Sequence, residues 1–111
     1  MQISIRASGL KLREADRALI RHELESALDG PGGDIARVNV FVADANGDKG
    51  GIDKTCRVVV HRHRQASLVI EDSDADLAAL VRRVADRAGH AAGRQRERRR
   101  SRKSNTSMSG E

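Results

Sequence analysis

Between residues 35 and 62 the sequence writes an apolar face twice at every second position: Val38, Val40 and Val42, then Cys56, Val58 and Val60. A period of two fits an extended strand with one side buried, because successive side chains point to opposite faces of a sheet. The same alternation places Ile3, Ile5 and Ala7 on one side of a strand over Gln2–Ala7, and Ala66, Leu68 and Ile70 on one side of a strand over Gln65–Glu71. The two longer segments around them repeat differently. Ile20, Leu24, Ala27 and Leu28 recur every three to four residues within Arg13–Leu28, as do Leu77, Leu80, Val81, Val84 and Ala88 further on. That period belongs to helices with one apolar stripe.

Punctuation fixes the boundaries. Gly9 marks the exit from the first strand, and Asp29-Gly30-Pro31-Gly32-Gly33 stops the first helix. Strands are predicted over Ile35–Ala43 and Lys54–Arg62, joined by a Gly/Asp-rich loop over Asp44–Ile52. Only a few residues separate the third and fourth strands, so they form a hairpin. Ser73 or Asp74 is placed to cap the second helix, with Asp74 and Asp76 near its positive end. Gly89 and Gly93 weaken that helix without forbidding its continuation. The order is β-α-β-β-β-α. A strand–helix–strand crossover makes its two strands parallel, and two one-faced helices cover one side of a four-stranded sheet. The expected fold is an α+β two-layer sandwich with a mixed sheet.

At 111 residues the chain holds one such domain, residues 1–95, followed by a basic segment, 96–111, whose serine-rich, apolar-poor end is predicted to be disordered. No apolar run approaches the roughly 20 residues of a membrane span, and the start MQISIRASG lacks the layout of a secretory signal. One cysteine excludes an internal disulfide, and a cytoplasmic protein is expected. Cys56 shares the Val58/Val60 face and is expected to be a buried, inert thiol.

Charge is unevenly spread. Residues 1–81 carry 11 Lys and Arg against 13 Asp and Glu, a net of −2, whereas residues 82–111 carry 10 against 3, a net of +7. A localised basic block is the electrostatic footprint of a polyanion site. On the second helix Arg83, Arg87 and Arg94 line one flank of the apolar stripe, with Arg82 about a quarter-turn away. Each guanidinium is a planar fork of donors that matches phosphate oxygens in pairs. Phosphate binding needs these side chains on the solvent side of the helix and not consumed by the protein's own carboxylates. Aromatic content bears on the kind of RNA: Phe41 is alone, so a multi-ring stacking platform for single strands is not expected, and Phe41 is read as a packing residue.

Other patterns carry less. Gly47-Asp48-Lys49-Gly50 has KH-loop spelling but links strands and not helices. His61 and His63 could share a strand face, yet no third ligand stands at metal spacing. Asp72, Asp74 and Asp76 are read as helix-capping acids, not a catalytic pair, and Asn105-Thr106-Ser107 has glycosylation spelling only. No nucleophile, base and orienting group assemble from named positions, so no enzyme, cofactor or metal is expected.

The opening MQISIRASGLKLREADRALIRHELESAL and the later KTCRVVVHRHRQASLVIEDSDADLAALVRRVADRAGHAAGRQ, with its acidic entry Asp74-Ala75-Asp76-Leu77 and basic amphipathic run, resemble the ribosome hibernation promoting factor family, which includes ribosome-associated inhibitor A. The resemblance covers about residues 1–95. It implies the β-α-β-β-β-α fold, similar to double-stranded-RNA-binding domains, and a protein that lodges in the small ribosomal subunit near the mRNA and tRNA sites and silences translation under stress. Position by position it implies RNA contacts from Arg82, Arg83, Arg87 and Arg94, with Arg13, Arg17 and Arg21 on the first helix. Where the family has a capping Thr, this chain has Arg13, and its hairpin reads His61-Arg62-His63-Arg64 in place of glycines. The length matches the family's short class, without a dimerisation domain, so a monomer off the ribosome is expected. Arg96, Arg98, Arg99, Arg100, Arg102 and Lys103 lie where the resemblance fades; they are expected to extend the RNA contact. Two rival expectations remain: a general structured-RNA-binding protein or RNA chaperone, and a regulator that binds an acidic protein partner.

Overall fold

The computed structural model describes residues 1–29, 35–44 and 54–109, with side chains described as far as Gly93. Six elements follow one another: β1 (Gln2–Ser8), α1 (Glu14–Leu28), β2 (Ile35–Asp44), β3 (Lys54–Arg62), β4 (Leu68–Asp74) and α2 (Leu77–Ser109). The four strands form one sheet in the order β1-β2-β3-β4. β1 runs parallel to β2, and the other two pairings are antiparallel. The fold is the α+β two-layer arrangement expected from the alternating and helical periods. Apart from Asp44, the expected loop over 44–52 lies outside the described residues, as do the helix stop at 30–33 and the GxxG spelling.

One core lies between sheet and helices. Val38, Val40, Val42, Cys56, Val58 and Val60 supply the sheet side, and Ile20, Leu24, Leu28, Leu80, Val81, Val84 and Ala88 supply the helix side, all buried. Near the start of β2 the register slips between Ile35 and Arg37, leaving Ala36 as an extra residue. That bulge lets Ile35 and Val38 both face the core while Arg37 points outward. Gly9 turns the chain out of β1 with φ 78, in the left-handed region, and a β-carbon there would meet the Asp44 carbonyl oxygen at 2.5 Å.

Both helices begin on an acid. The Asp16 carboxylate accepts the Arg13 backbone N–H at 2.9 Å, closing the start of α1 although no capping hydroxyl is present. At α2 the cap is Asp76, which accepts the Ala78 N–H at 3.1 Å, while Asp74 accepts from Asp76 at 3.0 Å in a preceding turn. This corrects the expectation that Ser73 or Asp74 caps the helix.

β4 also needs correction: it spans Leu68–Asp74 and not Gln65–Glu71. Residues 63–67 are held as a turn by Arg62. Its guanidinium, nearly buried, donates to the Ala66 carbonyl from Nε at 3.1 Å and from Nη2 at 2.5 Å, and from Nη1 to Gln65 Oε1 at 2.7 Å. The strand therefore starts later and runs on through Asp72, Ser73 and Asp74, paired with Cys56, Thr55 and Lys54.

Candidate nucleic-acid interface

The later end of β4 decides what happens to the arginines of α2. Along the strand, residues of even number share the face of Leu68 and Ile70, so Asp72 and Asp74 project toward the helical layer. Arg83 and Arg87 stand one helical turn apart on the flank of α2 that meets them. Arg83 donates to both carboxylates, with Nη1 at 3.4 Å from Asp72 Oδ2 and Nη2 in a short contact to Asp74 Oδ2. Arg87 Nη1 donates to Asp72 Oδ2 at 3.1 Å and to the Glu71 carbonyl at 3.2 Å. A backbone hydrogen bond from Ser73, then the charges of Arg83 and Arg87, hold the Asp72 carboxyl below its ordinary pKa. A backbone bond from Asp76, then Arg83, does the same for Asp74.

Two arginines and two aspartates cancel, so this flank does not present the net positive charge the sequence pattern promised. Half of the Arg87 side chain and about two-fifths of Arg83 still face solvent. Arg87 has donors left over, aimed by the pairing, but a phosphate would have to compete with Asp72 for them. Capping alone had accounted for all three acids, and it explains only Asp76.

The remaining helix arginines are freer. Arg82 is well exposed, with its Nε 3.9 Å from Glu23 Oε1, a loose contact across the two helices. Arg13 is more exposed still, and its Nε lies 3.5 Å from the Asp16 carboxylate that its own backbone N–H engages. Arg17 and Arg21 sit one turn apart on α1, half-buried and exposed respectively, with no ion pair among the described residues. Glu23 and Asp86 border the shallow groove between the helices beside Arg82, so that groove is mixed in charge. The side chains of Arg94, Arg98 and Arg99 lie outside the described residues.

The second surface is the uncovered side of the sheet, where outward positions gather in register. Arg6, Phe41, Arg57 and Glu71 form one row across the four strands, and Ser4, Asn39, Val59 and Val69 the next. Arg37 and His61 are neighbours in the row beyond, where the His61 ring meets Asn39 at 3.1 Å and Ser67 at 3.2 Å. Arg6, Arg37 and Arg57 are exposed and have no ion pair among the described residues. Phe41 is 41% exposed here, which corrects its reading as a packing residue. Parity alone held the signal for this surface: once both helices go to one side, every outward strand residue belongs to one open face. Among the described residues no set of three His, Cys, Asp or Glu side chains is placed to hold a metal ion, and no helix is long and apolar enough to cross a membrane.

Comparison with solved structures places this architecture. A ribosomal subunit interface protein from Coxiella burnetii superposes with a TM-score of 0.73 over 87% of this chain and 99% of its own, at 12% sequence identity. The N-terminal domain of Thermus thermophilus Protein Y superposes with a TM-score of 0.69 over 85% of this chain and 98% of its own, at 21% identity. The chain has their fold. No family model matches the sequence, and no curated protein does.

Proposed function

We propose that this chain is a short-form member of the hibernation promoting factor and ribosome-associated inhibitor A family: a cytoplasmic, non-enzymatic protein that binds small-subunit rRNA near the mRNA and tRNA sites and keeps ribosomes inactive under stress. The observation that carries the reading is the fold shared, over almost their whole length, with two chains named for the ribosomal subunit interface and as Protein Y. The outward arginines of its helical layer support it. Arg13, Arg17 and Arg21 on α1 and Arg82 on α2 offer guanidinium forks that are loosely paired or, among the described residues, unpaired, suited to phosphates of folded RNA. Such contacts fix position and read little sequence, and inhibition follows from occupancy without any bond being made or broken. Arg83 and Arg87 join only where RNA phosphate displaces Asp72 or takes their spare donors.

The test is sucrose-gradient sedimentation of a stationary-phase lysate. The protein should travel with 30S and 70S particles, and the combined variant Arg17→Glu, Arg21→Glu, Arg82→Glu should shift to the top. Wild-type protein that stays at the top sinks the reading, and ribosome binding that bulk tRNA or duplex RNA easily displaces sinks it in favour of a generic RNA binder.

A further inference from the structure

We infer that the open face of the sheet is a second nucleic-acid site, one that takes a single-stranded segment of RNA with one base stacked on Phe41 and its flanking phosphates held by Arg6 and Arg57. The inference does not depend on the ribosome being the partner of the helices.

Phe41 lies on β2, an interior strand, at the middle of the face, and is directly flanked in register by Arg6 on β1 and Arg57 on β3. Neighbouring strands stand about 4.8 Å apart, so the two guanidinium stems rise within reach of phosphates on either side of a base lying over the ring. Beside Phe41 a recess of about 260 Å³ is lined by Ser4, Arg6, Asn39, Val40 and Phe41. Ser4 and Asn39 supply polar groups at its wall for the edge of a stacked base. Val59 and the exposed Val69 continue an apolar strip from Phe41 across β3 and β4.

Charge chooses the occupant. Of the outward strand residues Arg6, Arg37 and Arg57 are cationic and only Glu71 is acidic, and none of the three arginines is ion-paired among the described residues. A solvated sheet face would bury nothing by exposing a phenyl ring between arginines. An apolar protein partner would have to desolvate those arginines without compensating carboxylates. A single strand satisfies both at once, since every base offers a π-face and every linkage a phosphate. A duplex does not, because its bases are already stacked and out of reach.

The test uses the full chain, a short fluorescein-labelled oligouridylate and a duplex RNA of equal length, by fluorescence anisotropy. Phe41→Ala should weaken oligouridylate binding about tenfold, the loss usual for one stacked base, and leave duplex binding unchanged. Arg6→Gln and Arg57→Gln should each lower the log–log salt slope by about 0.7, one phosphate contact apiece on a single strand. Phe41→Trp should bind at least as well as wild type, with its emission quenched by oligouridylate. Arg17→Glu with Arg21→Glu should leave the Phe41 effect intact, which separates this site from the helical one. All variants keep the basic C-terminal segment, so its contribution cancels. Equal oligouridylate affinity for Phe41→Ala and wild type, or tryptophan emission in Phe41→Trp that ignores saturating oligouridylate, overturns the inference. So does a Phe41 dependence that is the same for duplex and single strand.

Discussion

At Gly89 an ideal β-carbon would stand 2.9 Å from the carbonyl oxygen of Ala27 and 3.2 Å from its methyl carbon, so α1 and α2 cross with no room for a side chain between them. At Gly93, one turn later, a β-carbon would meet nothing within 4 Å. The same substitution therefore has opposite signs. Gly89→Ala forces backbone apart and should cost about 1–3 kcal/mol, while Gly93→Ala should gain about 0.5–1 kcal/mol from helix propensity alone. Urea titrations of the two variants check this; equal effects would mean the helices do not meet at Ala27. From sequence both glycines read only as weak points in one helix, since propensity cannot say which of them faces a neighbour. Cys56 shows the opposite case, a residue whose fate parity settles. Burial in the sheet face pushes its thiol up to about 11, so the thiolate is scarce near neutral pH. Native protein should resist a thiol-specific disulfide reagent that labels it at once in denaturant, and fast native labelling would contradict the buried placement.

The elements themselves were legible where a period ran without interruption: Lys54–Arg62 is the strand the alternation predicts, residue for residue. The fourth strand was not, because polar Asp72, Ser73 and Asp74 look like a helix entry, while their strand pairing depends on partners in Lys54–Cys56 that local sequence does not reveal. That displacement by three residues changed the candidate site, since it brought two carboxylates against Arg83 and Arg87. Its consequence is testable. Asp72→Asn should release Arg83 from one partner and Arg87 from the one carboxylate it meets among the described residues. RNA affinity in filter binding should rise, and the log–log salt slope should steepen by about 0.7–0.9 for each phosphate newly engaged. Unchanged affinity and slope would show that this flank of α2 faces no phosphate. The pairing also carries a pH signature. Both aspartates have folded pKa values below their unfolded ones, so their contribution to stability is complete above about pH 4 and is lost as pH falls through the depressed folded values. Wild type should lose stability in that acid window more steeply than Asp72→Asn combined with Asp74→Asn.

For the whole molecule, the internal pairing on α2 moves the weight of the electrostatics outward, to α1, to the open sheet face and to the C-terminal segment. Residues 95–111 carry six Lys and Arg against Glu97 and Glu111, so removing them takes the net charge from +5 to +1. The described core, which runs as far as Ala92, stays whole in the truncated chain, which should unfold at nearly the same urea midpoint. Hydrophobic core and net positive charge are thus separable along the chain. If the segment follows RNA, deleting residues 95–111 should lower ribosome affinity markedly, with a salt slope shallower by about 0.7–0.9 for each phosphate the segment had neutralised. If the segment serves solubility alone, affinity and slope stay as in wild type and only the protein's tendency to precipitate changes. Comparing the slopes of the full chain and the truncated chain at matched stability counts those phosphates directly, and it does so without mutating any of the arginines that the folded domain pairs with its own acids.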